Sequence, residues 1–251
     1  MARMSKAVGL VLVFSASASA ESISVPNFSF EMPPVERNEQ NPFGAAPFID
    51  DWDETEVGLT DEDHQDTGVF INTEPQEPDH ITNAHQDRLA FIQSFIGNDV
   101  RQALAAVFEP GRSYSLTVAV GTSFIFPAGA TEELEIALFY FDGGVEQVIA
   151  STFVAGSEVN PTSLIDVNVM IPEVAPGDAW ANEPIGILIR PSVTDPDDGA
   201  GEGFWDVDHV RLDASALAPA MSAWGLLAAT LLMTAAGTTV IRRRPASARG
   251  A

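Results

Sequence analysis

From Leu89 onward, turn residues cut the chain into short extended runs at near-regular intervals, and this cadence restricts it to a fold of paired strands. The runs are Leu89 to Gln93, Val100 to Phe108, Ser113 to Gly121, Leu134 to Asp142, Val145 to Val154, Leu164 to Ile171, Ile185 to Arg190 and Gly203 to Asp213. Between them lie breakers such as Gly97-Asn98-Asp99, Pro110-Gly111, Asp142-Gly143-Gly144, Asn160-Pro161 and Asp195 to Gly203. Strands at this spacing build a sandwich or a barrel. Within them, Tyr114, Leu116, Val118 and Val120 alternate with Ser115, Thr117 and Ala119, the period of a half-buried strand. Asp142-Gly143-Gly144 reads as a tight hairpin, because glycine supplies positive φ without strain. Alanines in Val100 to Phe108 favour a helix, but the Glu109-Pro110-Gly111 turn leading into the next run favours a strand. In the last run Trp205 and Val207 share one parity and Val210 and Leu212 the other. A bulge near Asp208-His209 would bring all four to one face.

Ahead of these runs, Ile23, Val25, Phe28 and Phe30 form a first strand ending in Asn27-Phe28-Ser29-Phe30-Glu31. Long acidic loops follow within 32–88, interrupted by a short strand at Gly68 to Asn72. No convincing helical period occurs between Glu21 and Asp213, so the body at 21–213 is expected to be an all-β antiparallel sandwich.

Both chain ends differ from the body. Arg3 and Lys6, then the apolar Ala7 to Phe14, then Ala18-Ser19-Ala20 read as a secretory signal peptide over 1–20. At the other end, residues 214–222 form a linker and a polar-aromatic box. The run from Ala223 to Ile241 has no charged residue and is close to the roughly 20 residues a membrane-crossing helix needs. Arg242, Arg243 and Arg244 then open a basic tail over 242–251 and would hold that end in the cytoplasm.

All 36 acidic residues fall between Glu21 and Asp213, and only six arginines and no lysine oppose them there, a net of 30 negative charges. A nucleic-acid partner is excluded, since phosphate binding requires clustered cations. Solubility at high salt and divalent-cation binding are both open readings beside a plain solvated surface. There is no cysteine, so an exported body must hold together by its core alone.

Two resemblances follow from these residues. The box Pro219-Ala220-Met221-Ser222-Ala223-Trp224-Gly225, the apolar run and the arginine block together resemble the IPTL-CTERM class of bacterial sorting signals, akin to PEP-CTERM. Pro219, Ser222, Trp224 and Gly225 match its box, while Ala218, Ala220, Met221 and Ala223 depart from it. That likeness implies a bacterial envelope protein, membrane-anchored or processed by an exosortase-like protease. The opening Asn27-to-Glu31 stretch, the middle Glu109-Pro110-Gly111-Arg112-Ser113-Tyr114 and the closing Trp205-Asp206-Val207-Asp208-His209-Val210-Arg211-Leu212 resemble the galactose-binding-like jelly roll of many carbohydrate-binding modules. This second likeness implies a structural Ca²⁺ where the first and last strands meet, with Glu31 and Asp208 at the matching positions.

No catalytic constellation stands out. The four histidines include no H-E-x-x-H, no G-x-S-x-G is present, and carboxylates are too abundant for any one pair to be singled out. Tyr140 and Trp205 fall on apolar parities expected in the core. Trp52 and Trp180 sit in loops among acids, where a sugar ring could stack. The expectation is therefore a non-enzymatic structural component of the envelope matrix. Binding of an extracellular polysaccharide is the alternative, and a carboxylate-based glycoside hydrolase a more distant one.

Overall fold

In the computed structural model, residues 20–55, 66–95, 97–192 and 203–216 are described. Their strands in chain order are β1 (Ala20–Ile23), β2 (Ala45–Ala46), β3 (Asp53–Thr55), β4 (Thr67–Ile71), β5 (Arg88–Gln93), β6 (Asp99–Val107), β7 (Arg112–Thr122), β8 (Glu133–Asp142), β9 (Val145–Ala155), β10 (Ile165–Ile171), β11 (Pro184–Ser192) and β12 (Phe204–Ala216). Eight of them, β5 to β12, fall where the alternation and breakers place them. Val100 to Phe108 is a strand.

Two sheets result. One runs β10-β7-β12-β5-β4-β2, with β1 also pairing β12, and the other runs β3-β6-β11-β8-β9. Every named pairing is antiparallel. The body is thus an all-β sandwich, as its period-2 patterning requires. The core between the sheets takes Leu116, Val118, Val120, Ile92 and Trp205 from one side and Leu104, Ile136, Leu138, Ile187 and Ile189 from the other. A smaller apolar cluster of Ile81, Leu89, Ala119 and Leu164, joined by Phe70, covers the outer face of the first sheet.

The central strand is β12. Along one edge it pairs β7 over its whole length. Along the other it pairs β5 through Phe204–Val207 and then β1 through Leu212–Ser215. Its register shifts between Asp208 and Arg211, and His209 has φ +49°. This bulge brings Trp205, Val207, Val210 and Leu212 all into the core.

The expected first strand differs from the one observed. Only Ala20–Ile23 pairs with β12. Residues after Val25 turn away, with Asn27 at φ +44° and Phe30 at φ +54°. Pro26 has no N–H to give to a ladder, and Phe30 packs on Trp52 instead, ring centroids 5.3 Å apart. The expected membrane helix at 223–241 lies outside the described residues, as do the signal peptide and the basic tail. Among the described residues no helix is long and apolar enough to cross a membrane.

Candidate functional site

Since Trp205 and Val207 point into the core, Phe204, Asp206 and Asp208 on β12 face outward. The cross-strand row through Asp206 reads Gly68, Phe91, Asp206, Gly121. Gly68 has φ +155°, and a Cβ there would lie 2.0 Å from the Ala46 carbonyl oxygen and 2.7 Å from the Phe91 ring. Only glycine lets β2 close down over β4 at this point. On the other flank, the loop after β7 is tied to β12 at both ends. Ser123 N donates to Phe204 O at 2.9 Å, and Phe204 N donates to Phe126 O at 2.8 Å. Phe124, Ile125 and Phe126 are thereby held outward, 48%, 53% and 57% exposed.

These loops, with 37–45 and 73–81, surround a cavity of about 270 Å³ on the outer face of the sheet. Its wall is mostly aromatic and aliphatic: Phe43, Phe70, Ile71, Ile81, Phe91, Phe124, Ile125, Phe126 and Phe204. Phe91 and Phe204 lie 5.9 Å apart edge to face, and Phe126 and Phe204 lie 6.4 Å apart. Asp206 is on the cavity's sheet-side floor, only 3% exposed. Among the described residues, no donor or cation meets its carboxyl.

Burial without compensation pushes the Asp206 carboxyl from 3.8 up to about 8, because a low-dielectric site disfavours the charged form. Asp206 is therefore a protonated acid at neutral pH, a hydrogen-bond and proton donor in an apolar box. That environment supports general-acid chemistry. The surrounding ring faces favour a cation that forms there.

One turn along β12, the bulge makes a second, separate arrangement. The Asp208 carboxylate accepts from His85 N and, at 2.6 Å, from His209 N. Burial raises its pKa to about 8, with the nearby Glu31 charge adding to the rise. Glu31 Oε1 accepts from Asp87 N and Arg88 N, both at 3.1 Å, and Oε2 pairs with Arg88 at 2.9 Å. The two carboxylates expected to share a calcium are thus close enough to interact. Glu31 Oε1 has both lone pairs taken, while Glu31 Oε2 and both Asp208 oxygens keep one each. In type and position the pair is compatible with a hard cation. Among the described residues no third histidine or acid joins them in a metal-sized cluster.

The two loop tryptophans lie elsewhere. Trp52 is buried against Phe30 and donates weakly to Asn27 O at 3.4 Å. Trp180 packs edge-on against Phe108 at 5.3 Å. Neither lines the cavity. Pro219, Ser222, Trp224, Gly225, Arg242, Arg243 and Arg244 lie outside the described residues. Sequence reasoning missed Asp206 and the Phe124-Ile125-Phe126 loop. One signal was available, three large apolar residues in a connection that should be polar; Asp206 sits on the polar parity of an alternating strand, beside Asp208, and gave none.

Fold and site together define a β-sandwich with one buried acid in an aromatic cavity on an outer sheet face. The chain belongs to the HpiC1-like family (HpiC1 cyclase), matched over residues 21–213. No curated protein sequence matches it. Among solved structures it is similar to a cyclase from Fischerella sp. in its apo form, at 20% identity and TM-score 0.57 over 80% of this chain and 98% of that one. It is also similar to the Stig cyclase Fisc from Fischerella sp. TAU in complex with (3Z)-3-(1-methyl-2-pyrrolidinylidene)-3H-indole, at 19% identity and TM-score 0.58 over 80% of this chain and all of that one. A cyclase from Fischerella sp. TAU in complex with 4-(1H-indol-3-yl)butan-2-one matches at 20% identity and TM-score 0.55, over 79% and 99% of the two chains. At these identities the likeness speaks for the fold.

Membership in a cyclase family corrects several expectations at once. The body belongs neither to a sorted-envelope family nor to a carbohydrate-binding one. The expected non-catalytic matrix role, its polysaccharide-binding alternative and the glycoside-hydrolase alternative give way to an enzyme of cyclase type. The physical reason is that Asp206, an isolated buried acid, belongs to no nucleophile, base and stabiliser arrangement that a sequence motif displays.

Proposed function

We propose that this chain is a cyclase that holds an apolar, unsaturated substrate in the outer-face cavity and starts ring closure by proton transfer from Asp206. The observation that carries this is geometric: one carboxyl, buried and unpartnered, in a cavity walled by phenylalanines. Family membership supports it. The indole compounds bound by two of the related cyclases favour an indole-bearing substrate.

The step balances without a co-reactant. The Asp206 O–H protonates a carbon–carbon double bond, leaving a carbocation and a carboxylate. A neighbouring π bond attacks the cation, forming the ring's new carbon–carbon bond and moving the charge. The resulting cation loses a proton to the Asp206 carboxylate, so product and substrate have equal mass. Ring faces of Phe91 and Phe204 stabilise the cation, and exclusion of water prevents its capture. The test is incubation with indoles carrying a tethered alkene, followed by chromatography for a new species of unchanged mass. Asp206→Asn must abolish the product. Turnover surviving in that variant, or water adducts as the main product, refutes the assignment.

A structural calcium held by Glu31 and Asp208 is a second, independent part of this reading. It is supported by a buried Asp208 and a half-buried Glu31, from opposite ends of the body, close enough for their charges to interact. A cation bound only to the native state raises the melting temperature by mass action. Chelator should therefore lower the melting temperature, and have no effect in Glu31→Gln/Asp208→Asn. An unchanged wild-type melt rejects the site. On the N-terminal sequence alone, the body is also proposed to be exported, with cleavage after Ala20; N-terminal sequencing of the secreted protein tests this.

A further inference from the structure

The body has six arginines against 36 acids, so an arginine without an acid partner is the exception that calls for a cause. Arg88, Arg101, Arg112, Arg190 and Arg211 each meet a carboxylate. Arg37 meets none among the described residues, although Glu36 and Glu39 flank it in sequence. It lines the cavity instead. Its side chain is held there in two ways. Nη2 donates to Ile71 O at 2.6 Å. Its Cγ packs where a side chain at Gly44 would otherwise sit, since a Cβ there would come within 2.9 Å of it.

The same cavity is lined by Asp79 and Thr73. Asp79 makes no hydrogen bond or ion pair among the described residues, and the Thr73 hydroxyl is buried with no partner. The loop that carries them is braced. The His80 ring bonds Thr73 O at 2.6 Å, and the Asn72 side chain clamps Ile81 through bonds of 2.8 and 3.0 Å. A cation and an anion therefore line one cavity, on braced segments, without closing on each other. Arg37 is exposed and Asp79 half-buried, and neither charge is drawn into a pair with the other. Held apart, they suit a ligand that puts an acceptor against one and a donor against the other.

We infer that Arg37 and Asp79 read a dipolar head group of the substrate, Arg37 bonding a carbonyl-type acceptor and Asp79 an N–H donor, so that the substrate's apolar part is turned toward Asp206. The inference rests on the cyclase reading of this cavity and adds the substrate's polar end to it. Arg37 and Asp79 are specificity residues; the acid remains Asp206.

The test uses three probes of nearly equal size, with binding to the purified protein followed calorimetrically. 4-(1H-Indol-3-yl)butan-2-one has both donor and acceptor, its 1-methyl derivative lacks the donor, and 3-butylindole lacks the acceptor. A hydrogen bond to a charged group changes affinity about tenfold or more. Wild type should bind the first probe about tenfold more tightly than either of the others. Arg37→Met should erase the preference over 3-butylindole and keep the preference over the methyl derivative. Asp79→Leu should do the reverse. Arg37→Gln, which keeps a donor for Ile71 O, should behave like Arg37→Met. Unchanged affinity for 3-butylindole in the Arg37 variants shows that the cavity is intact. Equal wild-type affinity for all three probes, or preferences that the variants leave unchanged, overturns the head-group inference while the cavity reading stands. If wild type binds none of the three, both are overturned.

Discussion

Replacing Asp206 by asparagine removes one ionisable group and should leave a signature in stability that needs no substrate to observe. In the unfolded chain this carboxyl titrates near its ordinary 3.8, and in the folded protein near about 8. Below about pH 4 it is protonated in both states and contributes no pH dependence. Between about pH 4 and pH 8 the folded state holds a proton that the unfolded state has lost. Folding stability therefore falls as pH rises, by about 1.4 kcal/mol per pH unit for this one group. Above about pH 8 both states are ionised and the penalty levels off at about 6 kcal/mol. That is a large share of the roughly 5–15 kcal/mol by which a domain is stable. The asparagine variant lacks this term. Its stability relative to wild type should climb by about 4 kcal/mol between pH 5 and pH 8 and then stay level. The amide has its own burial cost, but that offset does not change with pH, so the slope is the diagnostic. Asp208 and the surface acids titrate in both proteins and cancel in the difference. Urea unfolding of the two proteins across this range, in chelator so that the Glu31–Asp208 corner carries no cation, measures it. A flat difference would mean that Asp206 titrates as an ordinary carboxyl and is no proton donor at neutral pH, and the catalytic assignment would fall with it.

Other substitutions separate the parts of the site. Gly68→Ala forces a methyl group to within 2.0 Å of the Ala46 carbonyl at a φ of +155°. It should cost about 3 kcal/mol or more and loosen β2, and a melt unchanged from wild type would contradict the close packing described. Phe126→Ala removes a ring that is 57% exposed, so unfolding should shift by no more than about 0.5 kcal/mol while affinity for 4-(1H-indol-3-yl)butan-2-one drops about tenfold. Loss of stability with binding retained would make the loop a structural cover and not a wall of the site. Gln102, buried in β6, donates to Pro26 O at 3.2 Å and Asp51 O at 2.6 Å. Gln102→Leu should strand both carbonyls and cost about 2–3 kcal/mol in urea unfolding; a neutral result would show that neither carbonyl depends on it.

The scaffold was largely legible, because period-2 alternation and breakers are local properties. Strands β5 to β12 fall where those signals place them, and the parity change after Val207 located the bulge at His209. Strands β2 and β3 were not legible, since two or three residues are too few to display a period. The opening strand misled because Val25 and Phe30 are buried, and Phe28 half-buried, through turns and not through alternation. Trp52 looked like a loop ring available for ligand, but Phe30 covers it. The site was the least legible part. Asp206 owes its raised pKa to burial, in a cavity it shares with Phe91 and with loops centred near residues 43, 73 and 125. No window of sequence contains that environment. An acid between Trp205 and Val207 was visible; its isolation from water was not.

The placement of β12 also sets the order in which this protein becomes competent. Until that strand inserts, β10-β7 and β5-β4-β2 lack the ladder that joins them and meet through the loop contacts of Thr82 and Asn83 with Thr162 and Leu164, and Asp206 travels on the joining piece itself. A ribosome-bound chain that has emerged only through β11 has neither a finished floor for the cavity nor Asp206. Closure of the sheet and completion of the cavity are therefore one event for this body, reached when β12 docks between partners that were made far earlier.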